Sequence, residues 1–162
     1  IYRYFENKHK LLIYLSSWYW AWIEYQLVFE THSLEASSKI EKAIEIVTRI
    51  IKEDSKFSHI NEVVLNKIMV SENSKSFLTK EVDQENKDGY FIVYKRIIHR
   101  LRDMIIAIKP NYRFASSLAS TILEGSLHQH YLKDHFISLT DCKDGLTPAD
   151  FMKDLVLNIL KT

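Results

Sequence analysis

The segment from Tyr90 to Pro110 limits the fold more strongly than any other part of the chain. Its apolar residues recur every three or four positions, which is the period of an amphipathic α-helix. They are Tyr90, Tyr94, Ile97, Ile98, Leu101, Ile105 and Ile108. Pro110 ends the pattern because the residue before a proline is displaced from helical backbone angles. The 162 residues include only 3 Gly and 2 Pro, so long helices are favoured over many short strands.

Helical patterns and capping residues occur along the rest of the chain, and no segment shows the alternation of a strand. A side-chain oxygen before a helical pattern accepts a hydrogen bond from a free backbone N–H group and marks a helix start. The predicted caps are Asn7, Ser38 (with Glu41 in a capping box), Ser58, Asn111 and Thr147 (followed by Pro148). The sequence thus predicts an all-α, antiparallel bundle of about six helices around one core.

Charge and cysteine content exclude several classes of protein. The net charge of +1 gives no strong attraction to nucleic acid or to an anionic membrane. The lone Cys142 rules out a disulfide within this sequence and fits a reducing cytoplasm, where we expect the protein. The aromatic-rich range 11–29 is long enough to span a bilayer, but Glu24 and Gln26 interrupt it. We therefore expect a buried bundle helix in this range and no membrane partner.

The start of the sequence carries a pattern of aromatic, basic and apolar side chains. Tyr2, Phe5 and Lys8 precede the adjacent Leu11 and Leu12. This pattern resembles the end of the helix-turn-helix and the start of the next helix in TetR-family transcriptional regulators. The resemblance implies that Tyr2 and Lys8 contact DNA phosphates, and that Phe5 packs into the small DNA-binding core.

The same resemblance sets the expected function, that of a ligand-responsive transcriptional repressor. Residues 1–7 would be the remnant of a helix-turn-helix domain, and residues 8–162 the ligand-binding and dimerisation domain. The implied partners are operator DNA, bound only by a full-length protein, a small hydrophobic ligand and a second copy of the chain. A helical binding or scaffold domain without a DNA-binding role is the alternative.

Small side chains are concentrated in the range 113–126, where they allow another helix to approach closely. TetR-family regulators dimerise through their last two long helices, and the resemblance implies the same four-helix arrangement here. The dimer candidates are Ala115, Ala119, Ile122, Ser126, Phe151, Leu155 and Ile159. Packing of the same two helices within one chain is the alternative.

A ligand pocket among the helices between the amino-terminal segment and the dimer face is also implied by the resemblance. The candidate lining residues are Trp18, Trp22, Gln26, Phe29, Tyr94, Ile98 and Leu101. Gln26 would provide a polar contact within an otherwise apolar site. The alternative is that these aromatic residues form plain core, since a sequence does not reveal a cavity.

Metal and catalytic motifs are lacking. His128 and His135 share a helix face while His130 points elsewhere, and their spacing matches no common metal motif. The pair Glu6 and His9 is half of what a di-iron helical bundle requires. The sequence contains no phosphate-binding loop, metalloprotease histidine pair or nucleophile elbow. We therefore expect no metal, no cofactor and no enzymatic activity.

Overall fold

The computed structural model describes residues 4–51 and 61–161. In these ranges the chain forms seven α-helices and two short 3₁₀ helices, without any strand. The α-helices are α1 (Lys8–Thr31), α2 (Ala36–Thr48), α3 (Glu62–Glu72), α4 (Val82–Lys87), α5 (Ile92–Ile108), α6 (Ala115–His135) and α7 (Pro148–Leu160). The 3₁₀ helices are Asn73–Ser76, directly after α3, and Ile137–Leu139. The prediction of an all-α helical bundle is confirmed for this part of the chain.

Helix α1 begins where its predicted cap placed it. The Asn7 side chain accepts a hydrogen bond from the backbone N–H of Lys10 at 2.9 Å. The inward face of α1 buries Ile13, Ile23 and Leu27, and the helix packs against α2, α3 and α5. None of the helices in the described ranges combines the length and the apolar character needed to cross a lipid bilayer.

Helices α5 and α6 form the centre of the core. Residues 109–114 connect them, and such a short connection places the two helices antiparallel. Ile97, Leu101 and Ile105 of the apolar stripe on α5 are buried, whereas the residues on the opposite side of this helix are exposed to solvent. Helix α6 contacts α2, α3, α5 and α7, so most of its circumference is covered.

The predicted capping box at Ser38 is wrong. Helix α2 already begins at Ala36, with Glu35 before it, so Ser38 and Glu41 lie inside the helix. The backbone N–H of Lys39 donates to the Glu35 carbonyl at 2.7 Å, which completes one turn before a cap at Ser38 would take effect. The spacing of Ser38 and Glu41 is therefore a coincidence of two positions inside the helix.

Two other caps differ from expectation. Ser58 lies outside the described residues, and α3 is capped by Asn61, which accepts from the Val64 N–H at 2.9 Å. Asn111 does not cap α6, because the helix begins at Ala115. Instead, residues 109–112 form a turn closed by a backbone hydrogen bond of 3.0 Å, and this turn contains Asn111.

Helix α7 begins as predicted and packs unusually close to α6. The Thr147 hydroxyl accepts from the Asp150 N–H, and the Asp150 carboxylate accepts from the Thr147 N–H, which is the full capping box. Pro148 occupies the first turn. A Cβ atom on Gly125 would lie 2.6 Å from Met152 Cε, so the missing side chain at Gly125 makes room for Met152 of α7.

Candidate functional site

An open cleft of about 850 Å³ lies between the end of α3 with its following 3₁₀ helix and the outer side of α6. We call it the α3–α6 cleft. It is lined by Val70, Ser71, Glu72, Asn73, Ser74, Lys75, Thr121, Glu124, Gly125, Leu127, His128, Tyr131 and His135. Its volume falls within the range that accommodates small organic ligands.

The floor of the cleft holds a partly buried carboxylate with neutral neighbours. The Tyr94 hydroxyl of α5 donates to Glu124 Oε1 at 2.5 Å. The Asn73 side-chain amide donates to the two Glu124 oxygens at 3.4 and 3.3 Å. Within the described ranges, Glu124 has no Lys, Arg or His within ion-pair distance. The charge of Glu124 is thus stabilised by hydrogen bonds from neutral donors alone.

Burial dominates the electrostatics of this group. It raises the pKa of Glu124 above its ordinary value, although the hydrogen bonds from Tyr94 and Asn73 act in the opposite direction. Burial, and then the neighbouring charge of Glu124, raise the pKa of the Tyr94 hydroxyl. Tyr94 therefore keeps its proton and acts as the donor of the pair.

Asn73 adds a second acceptor beside the carboxylate. Its side-chain oxygen is buried and has no hydrogen-bond partner in the structure. The residue is fixed by its backbone, since its carbonyl accepts from the Ser76 hydroxyl at 2.6 Å. A buried acceptor without a donor costs about 1–3 kcal/mol, so a donor arriving from the cleft would be favourable there.

The rim carries rings and one ion pair. Lys75 binds Glu72 at 2.8 Å, which neutralises both charges locally. Tyr131 packs against His135 with ring centroids 4.6 Å apart, and His128 lies on the same exposed side of α6. The rim therefore offers aromatic surface above an acceptor-rich floor.

Tyr94 connects the cleft floor to α1. Its ring lies 5.4 Å from the ring of Trp20 in an edge-on contact and 5.7 Å from that of Phe77 in a stacked one. Trp20 belongs to the buried face of α1. The hydroxyl of Tyr94 thus contacts Glu124 of the cleft while its ring contacts Trp20 of α1.

Two clusters of charge join α1 to α5 and to α4. Glu24 accepts hydrogen bonds from Arg96 at 2.9 and 2.5 Å and from Arg100 at 3.1 Å, both on α5. The hydrogen bonds from Arg96 lower the pKa of Glu24, against the effect of its burial. These contacts bind the middle of α1 to the helix that carries Tyr94.

The second cluster holds the first turn of α1. Glu85 of α4 accepts from His9 Nε2 and Lys10 Nζ, each at 3.0 Å. Burial raises the pKa of Glu85, but the hydrogen bonds from His9 and Lys10 outweigh it and leave the pKa below its ordinary value. The carboxylate of Glu85 is therefore charged at neutral pH and pairs with both basic groups.

The predicted pocket residues do not line one cavity. Trp18 and Phe29 lie on the outer face of α1, where Phe29 is 73% exposed. Leu101 is fully buried in the core, and Trp22, Gln26 and Ile98 are half-buried. Of the seven candidates, only Tyr94 bonds to a residue of the α3–α6 cleft. The outward positions of Trp18 and Phe29 contradict the pocket prediction for these two residues.

The dimer candidates divide by helix. The four on α6, which are Ala115, Ala119, Ile122 and Ser126, are buried within the single chain. They cannot meet a second copy on the surface of this fold, so the prediction is wrong for them. The small residues of α6 serve the alternative role, and close packing of α7 at Gly125 is an example. On α7, Phe151 is 45% exposed, while Leu155 and Ile159 are half-buried.

The proposed phosphate contacts lie at the beginning of the chain. Tyr2 is outside the described residues, and Lys8 is the first residue of α1, with an exposed side chain. Phe5 is half-buried and packs on Tyr14 with ring centroids 5.3 Å apart. The contact of Tyr2 and Lys8 with DNA stays a prediction.

The histidines form no metal site within the described part of the chain, where no group of three potential ligands converges. His130 is buried, and its Nε2 donates to the Thr48 carbonyl at 2.7 Å. Burial lowers the pKa of His130, against the effect of this hydrogen bond. The imidazole therefore joins α6 to the end of α2 as a neutral group.

Sequence reasoning missed the two central residues of the cleft, Glu124 and Asn73. One signal was present: Glu124 is the only charged side chain between Leu118 and Leu127, a range that is otherwise apolar or small. An acidic residue in such surroundings indicates a partner or a function. In comparisons with known proteins, no family model, curated protein or solved structure matches this chain.

Proposed function

We propose that this chain is the ligand-binding and dimerisation body of a TetR-like transcriptional regulator, acting as a repressor. The observation that supports this function is the continuous set of contacts between the α3–α6 cleft and α1. Glu124 on the cleft floor bonds to the Tyr94 hydroxyl, and the Tyr94 ring packs on Trp20 of α1. Helix α1 begins at Lys8, where the sequence resemblance puts the junction with a DNA-binding domain.

The mechanism is a shift between two orientations of α1. A ligand changes this equilibrium only if it binds one orientation more tightly than the other. A ligand that displaces Glu124 towards the cleft also displaces Tyr94 of α5. Helix α5 then transmits this displacement to α1 through the hydrogen bonds of Arg96 and Arg100 with Glu24. In a dimer, tilting α1 changes the distance between two DNA-binding domains, which must lie about 34–36 Å apart to occupy successive major grooves.

The dimer face in this proposal lies on α7. Phe151, Leu155 and Ile159 keep exposed or half-buried apolar surface after the chain has folded. Light scattering of the complete protein should give twice the mass of one chain, and Phe151→Glu should shift it towards the monomer. A monomer at high protein concentration contradicts this part of the proposal.

The function is tested on the protein that includes the sequence encoded upstream of Ile1. We expect a helix-turn-helix there, and we expect the protein to select a palindromic site from a pool of random DNA duplexes. In Tyr94→Phe, DNA affinity without ligand should stay unchanged while the response to ligand falls, because the hydroxyl link to Glu124 is lost. Failure to select any DNA would refute the function.

A second candidate function, a helical binding domain without a DNA-binding role, is favoured by the outer face of α1. Four aromatic side chains are exposed along this face: Tyr14, Trp18, Tyr25 and Phe29. Tyr25 and Phe29 stack with their ring centroids 6.0 Å apart, and Trp18 donates to the Tyr14 hydroxyl at 3.0 Å. Double replacement of Tyr25 and Phe29 by Ser separates the two functions, since it should abolish partner binding by a scaffold and leave DNA selection by a regulator intact.

A further inference from the structure

We propose that the α3–α6 cleft binds an organic cation, an amine or guanidinium attached to an aromatic or similarly flat apolar body. The inference rests on the proposed function only in using the same ligand site, and it names the chemical class of the ligand. It is carried by the carboxylate of Glu124, which is uncompensated at the base of an open cleft of about 850 Å³.

The charge balance of the cleft floor is incomplete. Tyr94 and Asn73, the groups that hold the Glu124 carboxylate, are both neutral donors. A buried carboxylate is ordinarily compensated by a basic group, since its desolvation is costly. Two other carboxylates of this bundle follow that rule: Glu24 is paired with two arginines, and Glu85 with a lysine and a histidine. Glu124 is the exception among these three.

Hydrogen-bond capacity points to the same ligand. The Glu124 oxygens and the unpartnered Asn73 Oδ1 are acceptors, and they belong to two side chains in contact, since the Asn73 amide nitrogen donates to both Glu124 oxygens. An ammonium carries three donors and no acceptor, and a guanidinium carries five. Either group supplies donors to the Glu124 oxygens, whereas a ligand carboxylate or phosphate would add acceptors to a floor that already lacks donors.

The wall of the cleft fits the body of such a ligand. Tyr131 and His135 present adjacent rings 4.6 Å apart, and Leu127 and Val70 also line the cleft with apolar side chains. Aromatic faces attract cations and stack on flat rings. A ligand with its cationic end on Glu124 and a ring against Tyr131 uses both parts of the site.

The basic side chains of the rim do not favour an anion over a cation. Lys75 is already bound to Glu72, so it contributes little net charge. His128 and His135 are exposed to solvent, which screens their interaction with a ligand. Glu124, in contrast, lies at the floor, where lower effective dielectric strengthens its attraction for a cation.

The experiment compares three probes that share one ring system: 2-naphthylmethylamine, 2-naphthylmethanol and 2-naphthoate. Binding to the complete protein is measured by calorimetry and by NMR of the Asn73 side-chain amide, at about pH 8, where ordinary imidazoles are neutral. We expect the amine to bind at least about tenfold more tightly than the alcohol, as for a charge-assisted hydrogen bond. We expect the naphthoate to bind more weakly than the alcohol.

Three variants locate the effect. Glu124→Gln keeps an acceptor for Tyr94 and Asn73 but removes the charge, so the affinity for the amine should fall to that for the alcohol. Glu81→Gln makes the same change of charge at an exposed position outside the cleft and should leave the preference intact. Thermal unfolding of each variant checks that the fold is retained, and Asn73→Ser provides a second test, with a smaller loss of amine affinity.

Each result has one meaning. Equal binding of amine and alcohol, tighter binding of naphthoate, an unchanged preference in Glu124→Gln, or no amine binding at millimolar concentration overturns the cation site. Amine binding that leaves the DNA affinity of the upstream-extended protein unchanged refutes the regulator but retains the site. If the protein selects DNA but does not bind the amine, the cation site is refuted and the proposed regulatory function is retained.

Discussion

The hydrogen bond between Tyr94 and Glu124 joins the cleft floor to α5, and its energy is measurable. Tyr94→Phe removes the hydroxyl but keeps the ring contacts with Trp20 and Phe77. The O–O distance of 2.5 Å and the partial burial of both groups indicate a charge-assisted bond, which contributes about 1.5–3 kcal/mol. We expect Tyr94→Phe to lower the free energy of unfolding by that amount.

The same substitution in a Glu124→Gln background isolates the charge. There the hydroxyl donates to a neutral amide oxygen, and such a bond contributes only about 0.5–1.5 kcal/mol. The coupling energy between the two positions should therefore be about 1 kcal/mol or more. For a chain of 162 residues, a loss of about 2 kcal/mol lowers the melting temperature by about 4–8 °C.

Urea unfolding of the wild type, both single variants and the double variant provides the cycle. Circular dichroism follows the transition at about pH 8, where ordinary carboxyl groups are ionised. Equal costs of Tyr94→Phe in the two backgrounds, within about 0.3–0.5 kcal/mol, would show that the pair is not coupled through charge. That result would refute both the charge-assisted bond and the transmission that depends on it.

Three further predictions concern stability. Thr147→Ala should cost about 1 kcal/mol, because the capping box with Asp150 is lost, and a cost below about 0.3 kcal/mol would contradict that geometry. Because the pKa of Glu124 is higher in the folded than in the unfolded protein, protonation of Glu124 stabilises the fold. This stabilisation is complete below the unfolded-state pKa of about 4.3 and is lost as pH rises through the folded-state pKa. In urea titrations, the free energy of unfolding of Glu124→Gln should therefore increase relative to that of the wild type as pH rises between these two pKa values. A difference that decreases with pH would contradict the raised pKa. Ala119→Arg should abolish cooperative unfolding, because Ala119 is 0% exposed and an unpaired buried guanidinium costs about 3–5 kcal/mol. A folded monomer would instead support the dimer face on α6 that the sequence predicts.

The limits of sequence-based prediction are clearest in α1. The sequence predicts this helix correctly, with its cap at Asn7 and its body in the range 11–29. Aromatic residues surround this helix, however, so the pattern does not distinguish the buried Tyr19 and Trp20 from the exposed Trp18 and Phe29. Only the positions of α2, α3 and α5 decide which face is covered.

Helix α6 shows a different limit. Its small residues correctly indicate that another helix approaches closely, but sequence does not say whether that helix belongs to the same chain. The contact of Gly125 with Met152 of α7 answers the question for this position. The candidate site was hidden for a related reason: Asn73, Tyr94 and Glu124 are far apart in sequence and become neighbours only after three separate elements have packed.

The attachment of α1 at Glu85 determines how this helix can move. The amino end of a helix normally frays, because its first N–H groups lack backbone partners. Here Asn7 caps that end, and the side chains of His9 and Lys10 are both bound to α4 through Glu85. Hydrogen exchange in this turn should therefore be slow for a helix terminus. If α1 tilts, its first turn should therefore move together with the rest of the helix instead of melting, and the position of Lys8 should change with the tilt.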